Sequence, residues 1–220
     1  MKRFFIFSTA LVFLGCANHT FSISEKDNLI KELEYIRKID QEFAGVPSTE
    51  MKEKYGIEKA WDIFEKKRDS VSVDNQEKIK EMTSNYGFLG KDKVGNHSST
   101  IWLVVQHADN DVDFQKKMLK IFKKELRKNN ISKSNYAYLE DRIASNTGNK
   151  QRFGTQVEYN KKGQAVPKNG LIDSLKVDQY RIDFDMDSLK IYYNEMTQMH
   201  FEMNKENFLK QGIQEAQLYR

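Results

Sequence analysis

A mainly helical domain with one small antiparallel β-hairpin near residues 152–167 is the fold class this sequence predicts. Three observations carry it. Apolar residues recur at helical spacing over most of the chain. One stretch, Phe153-Thr155-Val157-Tyr159, switches to an alternation of period two, the signature of a strand. The two prolines of the sequence, Pro47 and Pro167, leave long segments uninterrupted. Hydrophobic residues make up 39% and aromatics 12%, enough for a core, and the 31% that are charged mix both signs. That balance belongs to globular rather than disordered chains.

The first residues predict export. Lys2-Arg3 is a basic n-region, and Phe4 to Leu14 is an apolar run too short for a lasting membrane span. Gly15 and Cys16 follow. Residues 1–15 therefore read as a bacterial lipoprotein signal peptide, with Cys16 lipidated, palmitate included, as the new N-terminus. An ordinary export signal with a chance cysteine is the alternative. Cys16 is the one cysteine of the sequence, so the mature domain has no disulfide and no cysteine metal ligand. Residues 16–27, small and polar from Ala17 to Glu25, read as a lipidated tether to a membrane of the cell envelope. Residues 28–205 read as one globular domain.

Within that domain, Leu29, Leu33, Ile36, Ile39 and Phe43 mark a first helix, ended by Gly45 and Pro47. Ile57, Ala60, Trp61 and Phe64 mark a second. Asp74 to Glu77 reads as a capping box for a third, with Ile79, Met82 and Tyr86 as its stripe and Gly87 as its stop. Ser98 and Ser99 are candidate caps for Ile101–Val105. That segment is apolar on all sides and suits a central helix or a short strand. Asp111 or Asp113 caps the next helix, whose stripe is Phe114, Met118, Ile121, Phe122 and Leu126. Ser134 caps another, carrying Tyr138, Leu139, Arg142 and Ile143 up to Gly148. After the strand, Asn160 to Gly163 forms a turn and Gln164 to Val166 pairs back. Helical spacing returns at Asp187 with Leu189, Tyr192, Tyr193, Met196 and Met203. Residues 206–220 read as a polar helical tail.

The charge balance excludes one class of function. There are 36 Lys and Arg against 32 Asp and Glu, and 34 against 32 once Lys2 and Arg3 are set aside. The lysines alternate with glutamates along helices, so no clustered cationic footprint for nucleic acid exists.

Three polar stretches are candidates for chemistry. His107 ends the apolar run, with Asp109 and Asp111 nearby. An imidazole there serves as general base, general acid or ligand, and a carboxylate one turn on could orient it. It serves equally as a hydrogen-bonded link between helices. Asp141-Arg142 is the second stretch. Neighbours on a helix point in different directions, so each pairs with something else, and an arginine can clamp a carboxylate or phosphate. Gln151 to Gln156 is the third. On a strand, Arg152, Gly154 and Gln156 would share one face, lining either a pocket or open solvent. No nucleophile elbow, zinc motif or phosphate loop is present, and no cofactor or metal is expected. A metal trio of His107, Asp109 and Asp141 is conceivable.

The stretches WLVVQHAD (102–109), YLEDRI (138–143) and QRFGTQ (151–156), in this order and spacing, resemble a bacterial family, domain of unknown function 6624. Further echoes are DQEFAG (40–45), DNQEKIKEMTSNYGF (74–88) and VDQYRIDFDMDSLKIYY (177–193). Phe153 stands where that family often has tyrosine. The resemblance implies no activity. It does imply that Gln106, His107, Asp109, Asp141, Arg142, Gln151, Arg152, Gly154, Thr155 and Gln156 belong together, converging on one polar cluster. Such a cluster would be structural or bind a small polar or anionic ligand. The other expectation is a hydrolase or lyase. There His107 is the base, Asp109 or Asp141 orients it, and Arg142 or Arg152 stabilises negative charge.

Overall fold

The computed structural model describes residues 21–220. The predicted signal peptide, Cys16 and the start of the tether lie outside the described residues. Helix α1 (Ile23–Glu42) begins within the stretch read as tether, because Ser22 and Glu25 form a reciprocal capping box. Its buried stripe is Leu29, Leu33, Ile36 and then Asp40. After the short α2 (Thr49–Tyr55) comes α3 (Ile57–Tyr86), one helix of 30 residues where the sequence predicts two. No glycine or proline lies between its ends, and Asp74, the predicted cap, is an exposed residue in mid-helix. Gly56 and the predicted stop Gly87 bound it, both with positive φ.

Helix α4 (Lys91–Val94) and a 3-10 turn at 95–97 lead straight into α5 (Ser98–His107). The apolar stretch left open between helix and strand is thus helix. Neither Ser98 nor Ser99 caps it; His97 holds that position without a side-chain bond. Ile101, Val104 and Val105 are at most 2% exposed, because α1, α3, α6 and α7 pack around α5. The middle of a helix enclosed this way is apolar on every side.

Helix α6 (Val112–Leu126) starts on Asp111, whose carboxylate accepts from the Phe114 amide at 2.9 Å. Helix α7 (Lys133–Asn146) starts two residues earlier than expected, with Ser132 at the cap and Ser134 inside. The hairpin pairs β1 (Val157–Tyr159) with β2 (Ala165–Pro167) antiparallel, Val157 opposite Pro167. Residues 152–156, which alternate in sequence, are not strand. Gly154 turns the chain there with φ 68°.

Helix α8 (Val177–Asp183), not read from the sequence as a helix, precedes α9 (Leu189–Met203) and α10 (Lys205–Lys210). The predicted helical tail is helical only to Lys210. Its end folds back instead: Tyr219 N donates to Asn194 Oδ1 at 2.7 Å, and its hydroxyl donates to Ala165 O at 2.7 Å. Phe184 joins this C-terminal layer to the helical core, 4.8 Å from the Phe153 ring and 5.9 Å from Tyr136. Among the described residues no helix is long and apolar enough to cross a membrane.

Candidate functional site

The apolar run of α5 ends at His107 because the chain must leave the core there. The ring emerges at the helix end, its side chain 36% exposed. Its Nδ1 lies 3.1 and 3.0 Å from the two oxygens of Asp40, which α1 brings from 67 residues away. Asp40 is 7% exposed. An ionised carboxylate accepts only, so Nδ1 carries a hydrogen, and in the neutral ring the lone pair is then on Nε2. Asp111, a predicted orienting partner, is instead the α6 cap and pairs with Lys80 at 3.0 Å. The Phe114 amide and then Lys80 hold its carboxyl below the ordinary carboxylate range.

His107 lines a cavity of about 760 Å³, shared with Asp40, Arg68, Ser72, Asp109 and Arg142. Arg142 clamps Asp109: Nε donates to Oδ1 at 2.8 Å and an amino nitrogen donates to Oδ2. The other amino nitrogen donates to Gln156 Oε1 at 3.0 Å. Asn146, one turn along α7, adds a bond to Asp109 Oδ1 at 2.7 Å. Both Arg142 and Asp109 are therefore spoken for within the cavity wall.

The other predicted residues form a separate arrangement behind this wall. Asp141 is fully buried and accepts from three loop amides: Arg152 at 2.9 Å, Phe153 at 3.2 Å and Thr155 at 2.9 Å. Burial pushes its carboxyl above the ordinary range, and the amides pull it back. Gln151 braces the same loop, donating to Gln156 O at 2.7 Å and Lys168 O at 2.6 Å while accepting from Gln156 N. A Cβ on Gly154 would sit 2.7 Å from Leu189 Cδ1, so the close approach needs glycine. The Thr155 carbonyl accepts from the Tyr192 hydroxyl at 2.8 Å. Arg152 does not reach the cavity; its guanidinium lies 4.7 Å from the Tyr180 ring and 5.7 Å from Phe184. Gln106 is buried away from the cavity, with Oε1 unpaired.

The three motifs thus meet, but as two neighbouring units rather than one cluster around the imidazole. His107, Asp109 and Arg142 belong to the cavity. Asp141, Gln151, Arg152, Gly154 and Thr155 build the loop, and Gln156 bridges the units through Arg142. The trio of His107, Asp109 and Asp141 is not assembled, since Asp141 faces the loop amides. Among the described residues no group of three His, Cys, Asp or Glu side chains could hold a metal. Sequence reading missed Asp40, Arg68, Ser72 and Asn110 in the cavity wall. Asp40 had a signal: it continues the apolar stripe Leu29, Leu33, Ile36 with an acid, and a buried acid needs a partner.

Fold and site together define a class: a helical domain whose central helix delivers a carboxylate-paired histidine to an open polar cavity. The chain belongs to the family of unknown function DUF6624, whose model matches residues 50–201. Helix α1, which supplies Asp40, precedes the matched segment. No curated protein and no solved structure matches the chain.

Proposed function

We propose that this chain is a membrane-tethered domain of the bacterial cell envelope whose cavity beside His107 binds a small polar ligand. The observation that carries the binding reading is the His107–Asp40 pair at the wall of a cavity of about 760 Å³. Small-molecule sites span about 300–1,000 Å³. A histidine that only joined two helices would gain nothing from such a space at its second nitrogen. The tether rests on the sequence of residues 1–16.

A hydrolase or lyase is the second reading, favoured by Asp40. With Nδ1–H held by that carboxylate, Nε2 can take a proton from water or ligand, and the imidazolium that forms is stabilised. Arg142 is engaged by Asp109 and Gln156, and Arg152 lies on Tyr180. The charge-stabilising role offered to them by sequence passes to Arg68, which lines the same cavity.

A thermal-stability screen of the full chain against small polar and anionic compounds tests the binding reading, with His107→Ala as control. Ligand at a hundred times its Kd adds about 2.7 kcal/mol to stability. Compounds should raise the Tm of the wild type and not that of His107→Ala. Hits that stabilise both proteins equally would put the ligand elsewhere and end the reading. For the tether, mass spectrometry of the membrane fraction should find an N-terminal, diacylated Cys16; a soluble mature form starting elsewhere refutes it.

A further inference from the structure

The wall contributed by α3 has a polarity set by one buried amide. Gln76 is 2% exposed. Its Nε2 donates to Ser72 Oγ at 3.0 Å, one turn earlier, and to Asn110 Oδ1 at 2.8 Å, in the turn after α5. An amide nitrogen has two hydrogens, and both are used. Asn110 therefore has its oxygen occupied and its Nδ2–H groups left to donate. Ser72 accepts through Oγ, so its own hydroxyl hydrogen is left to donate. Among the described residues this is the one side-chain hydrogen bond of Ser72; its hydroxyl does not donate to the carbonyl one turn back, the usual outlet for a helical serine.

Arg68 stands one turn before Ser72 on the same face of α3. Its nearest acid is Glu65, 3.7 Å away on the exposed surface, a pairing too long for a hydrogen bond and weak in water. Arg68, Ser72 and Asn110 all line the cavity that His107 lines. Three acids share the cavity, two of them engaged by partners of their own. Asp40 is held by His107, Asp109 is clamped by Arg142, and Asp69 is exposed to solvent. Arg68, Ser72 and Asn110 thus offer a cation and free donors beside the solvent-exposed Asp69, while a neutral His107 offers an acceptor at Nε2.

We propose that Arg68, Ser72 and Asn110 form an oxyanion subsite, and that the ligand carries a carboxylate or phosphate group seated there. The inference rests on the cavity being the ligand site. The anionic oxygens take hydrogens from the Ser72 hydroxyl and the Asn110 amide, with Arg68 supplying charge. The rest of the ligand extends toward His107, where a group bearing a hydrogen meets Nε2. Gln76 is the positioning residue, because it fixes which way its two neighbours present their hydrogens.

The test is a titration of the ¹⁵N-labelled full chain with sodium phosphate and, separately, sodium acetate, against sodium chloride at equal ionic strength. The Asn110 side-chain amide and the Arg68 Nε–H should shift saturably with phosphate or acetate and not with chloride. The two arms tell a phosphate seat from a carboxylate seat. Affinity should fall at least tenfold in Arg68→Gln and in Ser72→Ala. Absence of saturation with both anions, or unchanged affinity in both variants, overturns the subsite. The His107 ring signals separate this failure from that of the cavity reading. If they respond to a stabilising compound while Asn110 and Arg68 stay still, the subsite falls and the cavity stands. If the ring is also silent toward every anion and compound, both fall.

Discussion

Asp141→Ala removes the one carboxylate on which the 152–155 loop turns. Three amides lose their acceptor at 2.9–3.2 Å in a site with no solvent exposure. Hydrogen bonds to charged groups are each worth about 1.5–3 kcal/mol, a gross total of about 5–9 kcal/mol for three. The carboxylate repays part of that in desolvation, which is why burial drives its pKa upward. A net loss of about 3–5 kcal/mol is expected, in the range for breaking a buried charged arrangement by removing one side of it. Against an ordinary domain stability of about 5–15 kcal/mol, the variant should be marginally folded. Urea unfolding followed by circular dichroism measures it: the midpoint falls and the slope stays constant. Asp141→Asn should lose less, because its oxygen can still accept from the Arg152 and Phe153 amides while its NH2 faces the Thr155 amide. A loss below about 1 kcal/mol in Asp141→Ala would refute the accounting and shift the loop's support to Gln151.

Gly154→Ala should cost about 2–4 kcal/mol in thermal unfolding, since φ is +68° and the new Cβ would meet Leu189 Cδ1 at 2.7 Å and the Tyr193 hydroxyl at 2.8 Å; an unchanged Tm would contradict it. His200 stacks on Tyr159 at 3.6 Å, and burial lowers its pKa below the usual 6.5. With the folded value below the unfolded one, stability from this ring is full above pH 6.5 and is lost as pH falls through the folded value. Acidification over that window should destabilise the wild type more than His200→Phe; parallel profiles would remove the ring from the explanation. In Asp40→Asn the side-chain amide can donate to Nδ1, moving the ring hydrogen to Nε2 and turning the cavity's acceptor into a donor. Imidazole ¹⁵N shifts should report the switched tautomer with folding intact; the same tautomer in both proteins would show that Asp40 does not set it.

What could be read without coordinates was local. The helical stripes, the Asp111 cap and the Gly87 stop depend on residues within about four positions, where helix hydrogen bonds and spacing act directly. Where local signals conflicted, context prevailed. Asp74 had the chemistry of a cap, yet the absence of glycine or proline from 57 to 86 let one helix run through it. The alternation at 153–159 fitted a strand, which holds at 157–159, but a single buried carboxylate held the amides of 152, 153 and 155 in a turn.

The sequence by itself determined that His107 stands where an apolar stretch runs out, and that Asp141 and Arg142, as neighbours on a helix, serve different partners. Successive helix positions differ by about 100° in direction, so one of that pair turned into the core and the other toward the cavity. Only the tertiary structure decided who those partners are. Asp40 reaches His107 across 67 residues, and Gln76 reaches Asn110 across 34. No spacing rule covers such separations, because they are set by how α1 and α3 pack on α5, and packing is a property of the whole core rather than of any segment.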